Sequence, residues 1–247
     1  MKKEKTLGVL GGLGPMATAY FLELIVSMTD AATDQEHPKI IIMNVPTIPD
    51  RTAFILGKSK ESPLEPMAAL GRQMKEMGAE VLATPCITAH YFHASLQERI
   101  GLPLIHGIEA VAKTLKEAGV QKVGLMATDG TVQSGIFRRA LEAQGMKLVL
   151  PGTEGQAAVM RLIYEQVKAG KRPDMTLFEQ VRRELRKKGA QAVVLGCTEL
   201  SLLKKQYPLG SGVIDALEVL AKESVLACGK PVKSEYQKLF TPFTGKE

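Results

Sequence analysis

Short runs of apolar, often β-branched residues alternate along the chain with longer segments in which apolar residues recur at the spacing of a helix face. The short runs are residues 7–10, 40–45, 81–83 and 104–105 in the first half, and 123–126, 148–150, 193–195 and 213–214 in the second. The helical segments include residues 17–28, 64–77, 108–118, 157–169 and 177–188. Because parallel strands need crossover helices, this alternation predicts an α/β fold with mainly parallel sheets. Four strands in each half predict two small doubly wound domains.

The two halves of the chain also resemble each other in sequence. Residues 78–88, which end in Pro-Cys-Ile-Thr, recur as residues 189–199, which end in Gly-Cys-Thr-Glu, at an offset of 111. The matching positions are Cys86 with Cys197, Gly8 with Gly124 and Ile105 with Ile214. A repeat of this length indicates two similar domains and is too long for a solenoid.

The repeat predicts how the chain is divided. We expect residues 1–112, joined by the C-terminal segment 213–247, to form the first domain, and residues 113–212 to form the second. We expect the two to be related by a pseudo-twofold axis, with the active site in the cleft between them. One thiol would then approach a ligand from each side of that cleft.

Composition and charge narrow the class of protein. A hydrophobic fraction of 45% without a long apolar run is typical of a globular domain, and we expect no membrane span. The net charge of +6 is dispersed and favours an anionic small molecule, whereas 5% aromatic residues without Trp give little support for nucleic-acid binding. Three scattered cysteines argue against a disulfide framework and indicate the cytoplasm.

Cys86 and Cys197 are the strongest candidates for chemistry. Each follows a predicted buried strand and precedes a helix, at the sheet edge where α/β proteins bind ligands. There we expect the helix N-terminus to lower the pKa of each thiol. A single cysteine is more often a small buried hydrophobe, but duplication at equivalent loops favours function. Cys228 has no counterpart and keeps the structural interpretation.

Polar residues in the same loops are candidates for holding carboxylates. The hydroxyls of Thr88, Thr128, Thr131 and Thr198 suit this role, although each is also a possible helix cap. Arg51 is a candidate for bidentate carboxylate binding, or else an ordinary surface arginine.

Two other kinds of site are less favoured. His90 and His93 have the spacing of one helix face, but no third metal ligand lies near them in sequence. The glycine-rich residues 11–16, which end at Met16, have the wrong glycine spacing for a dinucleotide and lack a following Gly-Lys-Ser/Thr. Their amides could hold a carboxylate instead. His106 precedes a helix, and its counterpart is Asp215.

Taken together, these segments resemble the aspartate/glutamate racemase family, and most closely its aspartate racemases. The resemblance covers nearly the whole chain, and its marks are residues 8–18, 48–52, 85–90, 163–170 and 196–200. It implies racemisation of an acidic amino acid without a cofactor or metal, in which Cys86 and Cys197 act as two bases on opposite faces of Cα.

The resemblance also implies roles for the binding residues. Arg51 and Lys168 would pair with the side-chain carboxylate of the substrate, and Thr128 and Thr198 would hold the α-carboxylate. Met16, Thr88, Thr131 and Glu199 complete the expected substrate site. The family also tends to form homodimers.

Two positions bear on the substrate. Glutamate racemases typically carry His after the second Cys-Thr, so Glu199 favours aspartate. The family usually has Asn after the first cysteine, where this chain has Ile87. The alternatives to aspartate racemisation are glutamate or broad-specificity racemisation, a one-cysteine decarboxylase, a non-catalytic amino-acid sensor and a Cys86–Cys197 redox switch.

Overall fold

The computed structural model describes residues 3–243, and these residues contain seven β-strands. They are β1 (Leu7–Gly11), β2 (Ile40–Asn44), β3 (Val81–Ala83), β4 (Lys122–Met126), β5 (Lys147–Val149), β6 (Ala192–Leu195) and β7 (Val213–Asp215). All pair in parallel within two separate sheets. The predicted α/β class with two parallel sheets is confirmed.

Eleven α-helices connect the strands in the described part of the chain. They are α1 (Pro15–Met28), α2 (Arg51–Ile55), α3 (Leu64–Glu76), α4 (His93–Ile100), α5 (Gly107–Glu117), α6 (Asp129–Ser134), α7 (Ile136–Ala143), α8 (Thr153–Met160), α9 (Met175–Lys187), α10 (Thr198–Gln206) and α11 (Ala216–Ala227). Short 3₁₀ helices lie at Asp34–Glu36, Ile87–Phe92 and Ser234–Tyr236, and a π-helical segment at Arg161–Val167. Among the helices described, none combines the length and the apolar character that a bilayer crossing requires.

The first sheet has three strands in the order β2-β1-β3. The fourth strand expected at residues 104–105 is reduced to a single bridge between Leu82 and Leu104. Backbone hydrogen bonds attach it to β3 from Leu82 N–H to the carbonyl of Pro103 and from Ile105 N–H to the carbonyl of Leu82. Pro103 has no N–H to contribute, and α5 begins two residues after Ile105.

The second sheet has four strands in the order β5-β4-β6-β7 and repeats the register of the first. Val9 pairs with Ala83 in the first sheet, and the equivalent residues Leu125 and Val194 pair in the second. The bridge from Leu82 to Leu104 likewise has its equivalent in the pair Val193 and Val213. At these positions the sequence repeat is therefore also a repeat of strand pairing.

Contacts within the chain divide it into two compact units. Among the described residues, one extends to Gly107 and includes Leu217–Lys238, and the other comprises Ile108–Ala216 with residues 239–243. The sequence predicted boundaries at 112 and 213. Each unit has a buried apolar cluster of its own, and each cluster contains one of the duplicated cysteines, Cys86 in the first and Cys197 in the second.

The loop between β1 and α1 explains the glycine-rich segment. Gly12 has a φ of +92°, and a Cβ there would overlap the backbone of Val45. Its N–H donates to Thr18 Oγ1 at 2.9 Å, and Pro15 occupies the first position of α1, where a helix tolerates it. The glycines thus allow a tight strand-to-helix turn beside the end of β2.

Candidate active site

The Cys197 loop is held tightly at the end of β6. Gly196 N–H donates to the carbonyl of Met126 at 2.8 Å, and a Cβ on Gly196 would stand 2.7 Å from Leu125 Cδ1. Cys197 is the N-cap residue of α10, and its carbonyl accepts a hydrogen bond from Leu200 N–H at 3.0 Å. The thiol is therefore fixed at a strand-to-helix turn and almost fully buried.

The Cys197 thiol is hydrogen-bonded to a buried carboxylate. Its Sγ donates to Glu199 Oε2 at 2.8 Å, and the hydroxyl of Thr198 lies 3.4 Å from the same oxygen. The second oxygen of Glu199 is 3.8 Å from Lys168 Nζ. The structure thus brings together four of the predicted site residues, Cys197, Thr198, Glu199 and Lys168.

The electrostatics of Cys197 differ from the sequence prediction. Burial, followed by the negative charge of Glu199 and the hydrogen bond to it, raises the pKa of Cys197 well above its usual range, and the nearby Lys168 only partly opposes this. The prediction that the helix N-terminus lowers the pKa of this thiol is therefore wrong. A desolvated thiol beside a carboxylate favours its protonated form. The resting form of Cys197 is therefore the thiol.

Lys168 follows the π-helical segment. Its N–H donates to the carbonyl of Ile163, five residues earlier, at 2.9 Å, and its Nζ lies 4.4 Å from the centre of the Tyr164 ring. The lysine side chain is 29% exposed, against 6% for Glu199. π-helical turns are rare and concentrate at functional sites. This one presents a cation between an aromatic ring and a carboxylate.

The two other candidate threonines of the second unit, Thr128 and Thr131, form a helix cap. Thr128 is the N-cap of α6, and its hydroxyl oxygen accepts from Thr131 N–H at 3.2 Å. The two hydroxyls are 3.1 Å apart and both are buried. Thr128 therefore caps α6, and its expected part in substrate binding stays a prediction.

In the first unit, Cys86 is the N-cap of a helix as predicted, and this helix is a 3₁₀ helix at Ile87–Phe92. Its N–H donates to the carbonyl of Thr84 at 2.8 Å, and its carbonyl accepts from Ala89 N–H at 3.0 Å. Thr88 and Ile87 are buried within this turn. Cys86 thus has the same hydrogen bond at its carbonyl as Cys197.

Arg51 is buried and is therefore not an ordinary surface arginine. Its guanidinium donates to the carbonyls of Leu13 at 2.9 Å, Pro49 at 3.0 Å and Ile48 at 3.2 Å. These bonds fix the group between the β1–α1 loop and the start of α2. The ring of Phe54 on α2 lies 5.8 Å from that of Phe92, which links Arg51 to the Cys86 turn.

Met16 stands apart from the buried candidates. It is the second residue of α1 and is 68% exposed. A thioether at the surface supplies apolar contact and only a weak hydrogen-bond acceptor. Its expected part in substrate binding stays a prediction.

Three histidines cluster behind Cys86. The ring centres of His90 and His106 are 5.6 Å apart, and those of His93 and His106 are 4.2 Å apart. Burial and the neighbouring His106 and His93 lower the pKa of His90 to about 3, so this ring is neutral. Within residues 3–243, no group of three or more His, Cys, Asp and Glu is arranged to hold a metal ion. The sequence missed that His90 is bonded to the Cys86 carbonyl.

An open depression of about 860 Å³ lies on the second unit. Asp129, Gln156 and Tyr164 are among the residues that line it. Asp129 adjoins the Thr128 cap, and Tyr164 carries the Lys168 ammonium on its ring. Gln156 Nε2 donates to Asp129 Oδ1 at 2.8 Å and to the carbonyl of Ala127 at 3.0 Å, which holds this wall in place.

Comparison with known proteins shows which family the chain resembles over most of its length. The family model described as Asp/Glu/Hydantoin racemase matches residues 10–224. A broad-specificity amino-acid racemase, RacX, of Bacillus subtilis (strain 168) is 25% identical over 234 residues, which cover 89% of this chain and 96% of the relative.

Solved structures of racemases are also similar to this chain. The aspartate racemase of Picrophilus torridus has a TM-score of 0.80 at 30% identity, covering 96% of this chain and all of its own. The glutamate racemase of Francisella tularensis subsp. tularensis SCHU S4, solved with D-glutamate, shares the fold with a TM-score of 0.64 at 18% identity, covering 99% and 86% of the two chains. The chain belongs to the Asp/Glu/hydantoin racemase family.

Proposed function

We propose that the protein racemises aspartate without a cofactor, using Cys86 and Cys197 as the two acid/base groups. The observation that carries the proposal is the Cys197 thiol bonded to buried Glu199, at the position that matches Cys86 in a duplicated fold. Inversion of a stereocentre needs proton removal from one face and delivery to the other. Two equivalent thiols supply one group for each face.

The proton balance is simple. In one direction, the thiolate of Cys86 removes the Cα proton and becomes a thiol, while the thiol of Cys197 gives its proton to the opposite face and becomes a thiolate. For the other enantiomer the roles are exchanged. The raised pKa of Cys197 fits the resting thiol that this sequence needs. When Cys197 must act as a base, Glu199 is the carboxylate within reach of its proton.

The carbanion that develops at Cα is stabilised through its carboxylate. We assign the α-carboxylate to Thr128 and Thr198 with neighbouring backbone amides, and the side-chain carboxylate to Arg51 and Lys168. Lys168 already lies 3.8 Å from Glu199, so a substrate carboxylate would replace or share this partner. Met16, Thr88 and Thr131 are assigned to the remaining contacts.

Broad-specificity racemisation is the second candidate. Aspartate is favoured by Glu199 and by the similarity to the Picrophilus torridus enzyme. Breadth is favoured by the similarity to the Bacillus subtilis racemase and by Ile87, a fully buried apolar side chain directly after Cys86. An apolar neighbour discriminates weakly between substrates because it makes no hydrogen bond that a wrong substrate would lose.

The experiment is incubation with L-aspartate in D₂O, with EDTA and without pyridoxal phosphate, followed by NMR and chiral analysis. Deuterium at Cα together with D-aspartate would support the proposal. A parallel series with glutamate and neutral amino acids decides between the two candidates. If no amino acid exchanges its Cα proton, the proposal is wrong, and ligand binding without exchange would indicate a sensor.

We also propose that two copies of the chain associate, and that the protein works in the cytoplasm. Helix α1 exposes apolar side chains at helical spacing, Ala19, Leu22 and Val26, with Leu22 37% and Val26 45% exposed. Such a stripe is typical of a partner surface. Light scattering should give a dimer for the native chain and a monomer for the double variant Leu22→Glu with Val26→Glu.

The proposed cytoplasmic location rests on the cysteines. All three are free thiols, which suits a reducing compartment.

A further inference from the structure

The residue four positions after each duplicated cysteine is buried and polar. These residues are His90 after Cys86 and Ser201 after Cys197. Buried polar groups cost free energy unless they are hydrogen-bonded, so they seldom serve packing alone. Both lie in turns whose first bond is the same, from the N–H three residues after the cysteine to the cysteine carbonyl, at 3.0 Å in each case.

His90 uses both ring nitrogens. Nε2 accepts from Gly107 N–H at 3.1 Å, and Nδ1 lies 3.2 Å from the carbonyl of Cys86. Because Nε2 accepts, the proton must be on Nδ1, which donates to that carbonyl. Gly107 is the first residue of α5, just after the bridge that pairs with β3. His90 therefore ties the cysteine turn to the start of the next helix.

Ser201 makes the corresponding link in the second unit. Its Oγ donates to Asp215 Oδ1 at 2.7 Å, and both residues are fully buried. Asp215 is the last residue of β7 and directly precedes α11. In the sequence repeat, residues 105–107 match residues 214–216, so His90 and Ser201 reach the same junction in their respective units.

We propose that His90 and Ser201 are equivalent positioning residues, each of which fixes a cysteine-bearing turn against the strand-to-helix junction that follows in its unit. The inference depends on the proposed function only for what the thiols do once they are fixed. Neither residue is assigned a catalytic proton. Both nitrogens of His90 are already engaged, and the Ser201 proton points to Asp215.

The test is Ser201→Ala, with Ser224→Ala as the matched control. Ser224 is equally buried, and its Oγ donates to the carbonyl of Leu220 at 2.7 Å, within helix α11. The alkylation rates of Cys86 and Cys197 by iodoacetamide are measured separately, by mass spectrometry, across a pH series. Racemisation of aspartate is measured on the same samples.

We expect Ser201→Ala to change the alkylation rate of Cys197 by about threefold or more, and to leave that of Cys86 as in the native protein. We expect kcat to fall about 10- to 100-fold while KM stays within about twofold, because the loss is of orientation and not of substrate contacts. Ser224→Ala should match the native protein in all three measurements. His90→Gln should reverse the pattern and change the alkylation rate of Cys86 alone.

Each outcome bears on the inference. Ser201→Ala behaving like Ser224→Ala would overturn it, and so would an equal change at both cysteines, which indicates general loosening. If His90→Gln fails to fold, the Ser201 pair still decides. If the native protein racemises nothing while Cys197 alone changes its reactivity in Ser201→Ala, the proposed function fails and the positioning role stands.

Discussion

At the scale of single residues, the chemistry of the second unit is governed by the group of Cys197, Glu199 and Lys168. The carboxylate raises the pKa of the thiol and the ammonium lowers it. The two opposite charges near this thiol therefore shift its pKa in opposite directions. Removing the carboxylate and removing the ammonium should therefore change the alkylation rate of Cys197 in opposite directions, and both changes are measurable without substrate.

The first concerns Glu199→Gln. Without the negative charge, the pKa of Cys197 falls, so the thiolate fraction and the alkylation rate of Cys197 at pH 8 should rise. Racemisation should nevertheless slow by about 10²-fold or more, because the carboxylate that receives the thiol proton is gone. Glu142→Gln, on the surface of α7, is the control. A slower or unchanged alkylation of Cys197 would contradict the assigned role.

The second concerns Lys168→Met. Loss of the ammonium removes a positive charge that favours the thiolate, so the pKa of Cys197 should rise further and its alkylation should slow. KM for aspartate should rise about 10- to 100-fold, as expected for the loss of a charge-assisted bond to a carboxylate. Lys187→Met, at the end of α9, is the control. An unchanged KM would remove Lys168 from the substrate site.

At the scale of helices, strands and turns, much of the fold could be predicted from the sequence. Apolar runs mark strands because both faces of a parallel sheet are buried. The repeat around Cys86 and Cys197 identified equivalent loops, and the pairing of β1 with β3 and of β4 with β6 in one register confirms it.

Other elements depend on contacts that no local pattern encodes. The 3₁₀ helix after Cys86 and the π-helical turn before Lys168 differ from an α-helix by one hydrogen-bond step, which periodicity does not resolve. The pKa of Cys197 was predicted with the wrong sign because the local helix N-terminus was visible in the sequence, whereas the depth of burial was not.

The turn between β1 and α1 gives a prediction at this scale. Gly12→Ala should destabilise the protein by about 2 kcal/mol more than Gly78→Ala, measured by chemical denaturation. The two glycines have φ values of +92° and +98°, so the backbone cost of about 1 kcal/mol is shared. Only at Gly12 would the new Cβ meet the backbone of Val45, whereas no atom lies within 4 Å at Gly78. Equal losses would show that the turn relaxes freely.

At the scale of the whole molecule, the buried His90 should make folding stability depend on pH. Its pKa is lowered from 6.5 to about 3 in the folded protein by burial and by His106 and His93. Below pH 6.5 the unfolded chain binds a proton that the folded chain does not, so the stability is lost as the pH falls. We expect His90 to remove about 1.4 kcal/mol from the free energy of unfolding per pH unit in this range.

Denaturant titrations of the native protein and His90→Gln between pH 7 and 5 measure this contribution. The variant should lose less stability than the native protein over this interval, by about 1.4 kcal/mol per unit below pH 6.5. Parallel curves for the two proteins would show that the pKa of His90 is the same in the folded and the unfolded protein, which would contradict this account.

The central claim is that two thiols together invert one carbon. The most direct measurement is racemisation and Cα deuterium exchange of L- and D-aspartate in D₂O by the native protein, Cys86→Ala, Cys197→Ala and Cys228→Ala. Cys228 is also buried, and its pKa is raised to about 11, so its removal controls for the loss of a buried thiol. We predict that D- and L-aspartate interconvert with the native protein and Cys228→Ala, and that interconversion is lost with Cys86→Ala and with Cys197→Ala. Full interconversion by either of these two variants would contradict the two-cysteine account.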